Sequence, residues 1–88
     1  MRSVLTTTRY KRDVLRLHKK HYEVHLLTNI TKMLQRDGIV PVKHEPHKLH
    51  GEWSGYFECH VTQDWLLIYK VDAQFVYLYR TGSHSDLF

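Results

Sequence analysis

The stretch of sequence that decides the fold is residues 55–80, which read GYFECHVTQDWLLIYKVDAQFVYLYR. β-Branched and aromatic residues, which favour strands, dominate three runs of this stretch, at 55–62, 65–71 and 75–80. Gln63-Asp64 joins the first two runs, and Asp72-Ala73 joins the second to the third. Links this short are typical of hairpins, so the stretch predicts successive antiparallel strands.

The first of these strands predicts which face of the sheet is buried, because successive side chains of a strand point to opposite faces. The set that suits a face covered by helices is Phe57, Cys59 and Val61. The alternate set, which suits an open face able to hold a ligand, is Tyr56, Glu58 and His60. The two later strands are apolar at both parities, and their orientation is not predicted.

The residues before this stretch predict a short strand and two helices. Val and Thr residues favour a strand over residues 2–7. The spacing of apolar side chains predicts one helix from Arg9 to about Lys20, with Thr8 as its N-cap. A second helix is predicted from Glu23 to Arg36, and Gly38 can take the left-handed conformation that ends it.

Residues 39–54 contain both prolines and predict a long loop. The whole order is then β-α-α-β-β-β. Two helices followed by consecutive strands favour an α+β fold, in which both helices pack on one face of an antiparallel sheet. The other face is left open.

The composition limits the class of protein. With 88 residues, the chain is expected to be a single domain over 1–88. Cys59 is the only cysteine, so no internal disulfide is possible, and the longest apolar run, Trp65–Tyr69, is too short to cross a bilayer. The N-terminus has no apolar leader segment. We therefore expect a soluble, cytoplasmic protein that does not associate with a membrane.

The charge balance and the histidines bear on possible ligands. Thirteen Lys and Arg against nine Asp and Glu leave a net charge of +4, which attracts polyanions without specifying one. The first helix and the turn after it carry His18, His21 and His25, whose spacing could hold a metal ion. No Cys or Asp close by completes such a site, so metal binding is the weaker interpretation.

The second half of the chain contains a longer ordered pattern. Its members are His47, Leu49, Gly51, Trp53, Gly55, Tyr56, His60, Asp64, Trp65, Tyr69, Arg80, Gly82, His84, Leu87 and Phe88. In this order and spacing the sequence resembles the YafQ branch of the RelE superfamily of toxin ribonucleases. The resemblance covers roughly residues 45–88, and the first half of the chain matches only in its predicted order of elements.

This resemblance implies a function and a set of partners. The function is that of a ribosome-dependent mRNA endoribonuclease, the toxin of a toxin–antitoxin pair, which acts on messenger RNA in the ribosome. The implied partners are a small acidic cognate antitoxin, mRNA and ribosomal RNA, with DNA contacted only through the antitoxin complex. The implied fold is RelE-like, and no metal or other cofactor is expected.

The residue types fit a metal-independent cleavage in which the ribose 2′-OH attacks the neighbouring phosphate. His47, His60 and His84 can transfer protons near neutral pH. Arg80 can bind the phosphate oxygens with two parallel hydrogen bonds and stabilise negative charge in the transition state. Asp64 can orient a histidine or accept a proton. Which histidine is the acid and which is the base stays open.

Substrate contacts are predicted for four more residues. Trp65 and Phe88 can stack on unpaired bases. Family members usually have a basic residue at the position of Phe57, often a lysine at Ser54, and a proline at Lys48. RNA contacts are therefore expected to have moved, with Lys43 and Lys48 as the candidates.

These departures leave an alternative of a different class. The chain could be a catalytically weak RelE-like module that serves mainly as an antitoxin-binding partner in a DNA-bound autoregulatory complex. Growth arrest on expression, relieved by a co-expressed neighbouring reading frame, separates the two hypotheses.

Overall fold

A computed structural model describes all 88 residues. Its elements are β1 (Ser3–Thr6), α1 (Thr8–Lys19), α2 (His25–Asp37), β2 (His47–Lys48), β3 (Phe57–Thr62), β4 (Trp65–Val71), β5 (Phe75–Gly82) and α3 (His84–Leu87). The predicted α+β class and β-α-α-β-β-β order are confirmed. Two short elements were not predicted. These are β2, inside the expected loop, and the single-turn helix α3.

The five strands form one sheet in the order β1-β5-β4-β3-β2. Strands β2 to β5 pair as antiparallel neighbours. β1 instead runs parallel to β5, with Ser3 opposite Phe75 and Thr6 opposite Leu78. The expectation of a wholly antiparallel sheet was wrong at this edge. The chain between β1 and β5 is long enough for the crossover that a parallel pair needs, and no short hairpin constrains its direction.

Local capping explains where the two long helices begin and end. Thr7, rather than the predicted Thr8, is the N-cap of α1, and its Oγ1 accepts a hydrogen bond from the Tyr10 N–H at 2.9 Å. Gly38 ends α2 as predicted, with a φ of 75°. No helix in the structure is both long and apolar enough to span a membrane.

The core lies between the helices and one face of the sheet. Cys59 and Val61 are buried in it, and Phe57 packs against it, which confirms the predicted inward face of β3. β4 is the middle strand and is buried on both faces. Trp65, Leu67 and Tyr69 belong to the core, while Leu66 and Ile68 are buried outside that cluster. This burial explains why β4 shows no alternation in its sequence.

Candidate active site

The register of the sheet places three of the five predicted catalytic residues, His47, His60 and Arg80, in two neighbouring rows across its strands. One row crosses four strands, because His47 pairs with Glu58, Glu58 with Ile68, and Ile68 with Arg80. The next row runs from His60 through Leu66 to Gly82, two residues before His84. With about 4.8 Å between strands, the Cα atoms of His47 and Arg80 are roughly 14 Å apart. The rows therefore align His47 with Arg80 and place His60 next to them, and His84 follows the end of the second row.

His47 is held at both ring nitrogens. Its Nδ1 lies 2.9 Å from the backbone oxygen of Glu45, and its Nε2 lies 3.1 Å from Oε1 of Glu58. A carbonyl oxygen can only accept, so Nδ1 is the donor to Glu45, and Nε2 faces the carboxyl group of Glu58. The Glu58 side chain is 9% exposed and the His47 side chain is 50% exposed. Glu58 thus supports a histidine that substrate can reach.

His60 lines a cleft beside the loop that precedes β2. Its Nδ1 lies 3.0 Å from the backbone oxygen of Gln63, and its Nε2 lies 3.7 Å from Oε2 of Glu45. The cleft has a volume of about 420 Å³, and Lys43 lines it together with His60. This arrangement places Lys43 where it can contact an anion bound next to His60.

Arg80 is engaged by a carboxylate from α1. Its Nε donates to Oδ2 of Asp13 at 2.7 Å, and its Nη2 donates to Oδ1 at 3.1 Å. Asp13 also accepts from the Thr81 N–H at 3.1 Å and from Arg16 Nη1 at 3.0 Å. Burial alone would raise the pKa of this carboxyl, but the hydrogen bonds from Arg80, Thr81 and Arg16 hold that pKa below the ordinary 3.8. The same pair raises the pKa of Arg80.

α3 brings His84 and Phe88 to the end of β5. Ser83 caps this helix, its Oγ accepting from the Asp86 N–H while the Asp86 carboxylate accepts from the Ser83 N–H. The rings of His84 and Phe88 lie 5.3 Å apart, and Phe88 is 54% exposed. Phe88 is therefore half exposed beside His84 and does not fill a gap in the core.

A profile of the family described as "bacterial toxin of type II toxin-antitoxin system, YafQ" matches residues 2–88 of the chain. This chain belongs to the YafQ toxin family. It is similar to the mRNA interferase toxin YafQ of Escherichia coli K12, with 33% identity over 99% of this chain and 96% of the relative.

Solved YafQ structures share the fold over almost their whole length. The crystal structure of a YafQ point mutant from E. coli superposes with a TM-score of 0.92 at 31% identity, covering 100% of this chain and 99% of that one. The toxin in a crystal structure of the E. coli DinJ–YafQ complex superposes with a TM-score of 0.90 at 30% identity, with the same coverage. The RelE-like fold expected from the resemblance is thus confirmed.

The structure shows where two predicted substrate contacts, Trp65 and Lys48, lie. Trp65 is 2% exposed, donates from Nε1 to Thr81 Oγ1 at 2.8 Å, and packs edge-on against Tyr22. The expected stacking of Trp65 on RNA bases is corrected, because a ring with no exposed face cannot stack on a base. Lys48 follows His47 in β2, so its side chain leaves the opposite face of the sheet. Lys48 stays a predicted RNA contact, but it lies on the face of the sheet opposite His47.

Asp64 lies at an exposed turn between β3 and β4, and its role stays a prediction.

The structure adds two functional candidates that are not members of the YafQ-like pattern. These are Asp13 and Glu58. A signal for Asp13 exists in the sequence, because it lies on the apolar stripe of α1 between Tyr10 and Leu17. No three His, Cys, Asp or Glu side chains lie close enough together to hold a metal ion, and this includes His18, His21 and His25.

Proposed function

We propose that this chain is the toxin of a toxin–antitoxin pair and acts as an mRNA interferase, an endoribonuclease that cuts messenger RNA on the ribosome. The observation that carries the proposal is the row of His47, Glu58 and Arg80 across one face of a YafQ-family fold, with His60 in the adjacent row. All 88 residues would form one functional domain. Its place of action would be the cytoplasm, where ribosomes translate.

The proposed reaction is a transfer of the phosphate to the ribose 2′-oxygen. A base removes the 2′-OH proton, the 2′-oxygen attacks the phosphorus, and the bond to the 5′-oxygen breaks as an acid protonates that oxygen. His47, His60 and His84 supply the base and the acid. Arg80 donates to the phosphate oxygens as negative charge grows on them. Asp64 is retained as an orienting group; it follows Gln63, whose backbone oxygen lies 3.0 Å from His60 Nδ1.

Substrate binding would rest on residues around these rows. Phe88, half exposed beside His84, can stack on an unpaired base. Lys43 can contact a phosphate in the cleft of His60. Lys48 can contact RNA only outside this face, for example a neighbouring ribosomal strand. A metal ion or other cofactor is not part of the proposal.

The proposed protein partner is a cognate antitoxin, which would cover this face and would alone contact DNA. The E. coli DinJ–YafQ complex supports this choice, because its toxin chain has the same fold. A specific observation favours the weaker alternative of a module with little nuclease activity. Phe57 stacks on Tyr69 with rings 5.8 Å apart, so this position offers RNA no charged group.

End-group analysis of RNA products tests the proposal. The purified chain, added to ribosomes translating a defined message, is expected to leave 2′,3′-cyclic phosphate and 5′-hydroxyl ends. Ends carrying a 5′-phosphate would refute the 2′-OH mechanism. The absence of cleavage, together with tight binding to an antitoxin, would favour the non-catalytic module.

A further inference from the structure

Asp13 has a contact set that a merely solvated helix residue does not have. Its side chain is 3% exposed, and its carboxylate accepts hydrogen bonds from Arg80, Arg16 and the Thr81 backbone. A carboxylate offers about four acceptor positions, and those of Asp13 are filled. The carboxylate is thus committed to groups around the end of β5.

The contacts with Asp13 determine which donors Arg80 has left. A guanidinium has five N–H groups in a rigid plane. Arg80 donates its Nε–H and one N–H of Nη2 to Asp13. The two N–H groups of Nη1 and the second N–H of Nη2 are not used by Asp13. Two parallel bonds to one carboxylate also fix the plane of the guanidinium.

The same cluster extends to the helix that carries His84. Arg16 bonds to Asp13 at 3.0 Å, and its Nη2 lies 3.5 Å from Oδ2 of Asp86 in α3. Two arginines face two aspartates in this cluster, so their charges offset one another. What Arg80 contributes to an anion is therefore a set of oriented donors more than an excess of positive charge.

We propose that Asp13 is a positioning residue, which holds the guanidinium of Arg80 so that its free N–H groups face the phosphate to be cleaved. Through Arg16 and Asp86 it also sets the position of α3 relative to that guanidinium. This inference rests on the proposed function, since it concerns Arg80 as the phosphate ligand. Positioning matters here because small misplacements of a catalytic group lower rates steeply.

The substitution Asp13→Asn tests the proposal, with Asp37→Asn as its matched control. Asp37 also bonds an arginine, Arg36, at 2.9 Å, but on the exposed surface. We expect Asp13→Asn to lower the single-turnover cleavage rate by about ten- to a hundredfold. Ribosome affinity should stay within about twofold, since only transition-state contacts change. Asp37→Asn should match the parent. A folded Asp13→Asn variant that cleaves at the parent rate overturns the proposal.

A double-substitution cycle separates positioning from a general loss of structure. In an Arg80→Ala background, Asp13→Asn should cause a much smaller loss of cleavage than in the parent, because the main group that it positions is already gone. If the fold-reduction in cleavage rate of the double variant equals the product of the two single reductions, the proposal is overturned.

NMR of the parent protein provides a measurement that does not depend on how the variant folds. The Arg80 Nε–H, held at 2.7 Å from Asp13, should exchange with solvent much more slowly than that of exposed Arg9. Equally fast exchange would overturn the proposal even if Asp13→Asn does not fold. If the parent cleaves no mRNA, the proposed function fails, and this comparison still decides whether Asp13 holds Arg80.

Discussion

Glu58 Oε1 lies 3.1 Å from His47 Nε2, and the two residues are directly opposite each other in β3 and β2. The carboxyl group is almost buried, while half of the imidazole surface is open to solvent. Because the carboxyl group of Glu58 fixes the orientation of the imidazole, the exposed part of the ring faces solvent in a defined direction. The pairing of a two-residue strand thus creates the support for one of the proposed proton-transfer groups.

The substitution Glu58→Gln should reduce cleavage by roughly ten- to a hundredfold, since the amide keeps the shape but removes the charge that faces His47. Glu52→Gln, at an exposed position in a neighbouring turn, is the matched control and should have no effect. Single-turnover cleavage on programmed ribosomes measures both. Equal rates for the two variants would remove Glu58 from the site.

Arg80→Ala should remove about 2–4 kcal/mol of transition-state stabilisation. It should also lower the free energy of unfolding, because Asp13, 3% exposed, loses its partner at 2.7 Å. Arg80→Lys should restore little cleavage, because an ammonium cannot make two parallel bonds to one carboxylate. Cleavage rates and urea unfolding should be measured together. Full activity of Arg80→Lys would reduce Arg80 to a general electrostatic role.

Phe88→Ala should lower cleavage by about ten- to a hundredfold, as expected for the loss of one stacked base. Its melting temperature should stay close to that of the parent, because the ring is 54% exposed. Phe88→Trp should keep much of the activity, since indole also stacks. A steep fall in the melting temperature of Phe88→Ala would instead assign the ring to packing of the C-terminal segment.

The stability of the fold should fall in acid partly through Asp13. Its pKa is lower in the folded chain than in the unfolded chain, so the ionised carboxylate stabilises the fold above about pH 4. That stabilisation is lost as the pH falls through the folded-state pKa. Urea unfolding at a series of pH values should show a smaller acid-induced loss for Asp13→Asn than for the parent. Parallel curves for the two proteins would contradict this assignment, because the other aspartates are common to both.

Trp65→Phe should destabilise the fold by about 1–3 kcal/mol, because the indole hydrogen bond to Thr81 and some packing volume are lost. Cleavage per folded molecule should be nearly unchanged. Denaturant unfolding and single-turnover cleavage test the two statements separately. A variant of normal stability that does not cleave would return Trp65 to the substrate site.

Sequence reasoning predicted the hairpins well, because adjacent strands with short links leave few alternatives. It missed β2 because a strand of two residues, His47–Lys48, has no periodicity to detect. The parallel pairing of β1 with β5 depends on contacts between distant parts of the chain, which local patterns do not report. Capping signals located the ends of the helices to within a few residues.

His60 and Arg80 stay predicted site residues, chosen because the chemistry of each matches its position in the YafQ-like pattern. Trp65 was misassigned because β4 is apolar on both faces, so parity could not show that its ring points into the core. Asp13 was overlooked as an ordinary polar residue of a basic helix. Only the tertiary contact with Arg80, 67 residues away, reveals its use.

The parallel pairing of β1 with β5 has a consequence for the timing of synthesis. β1 can complete its hydrogen bonds only after residues 75–78 have left the ribosome, and Arg80 and His84 emerge later still. Strand pairs so far apart in sequence also form slowly. A growing chain that ends before β5 therefore carries His47 and His60, but it has neither the β1–β5 pairing nor Arg80 and His84. The proposed phosphate ligand, Arg80, is thus among the last parts of the fold to be made, together with the strand that completes the sheet.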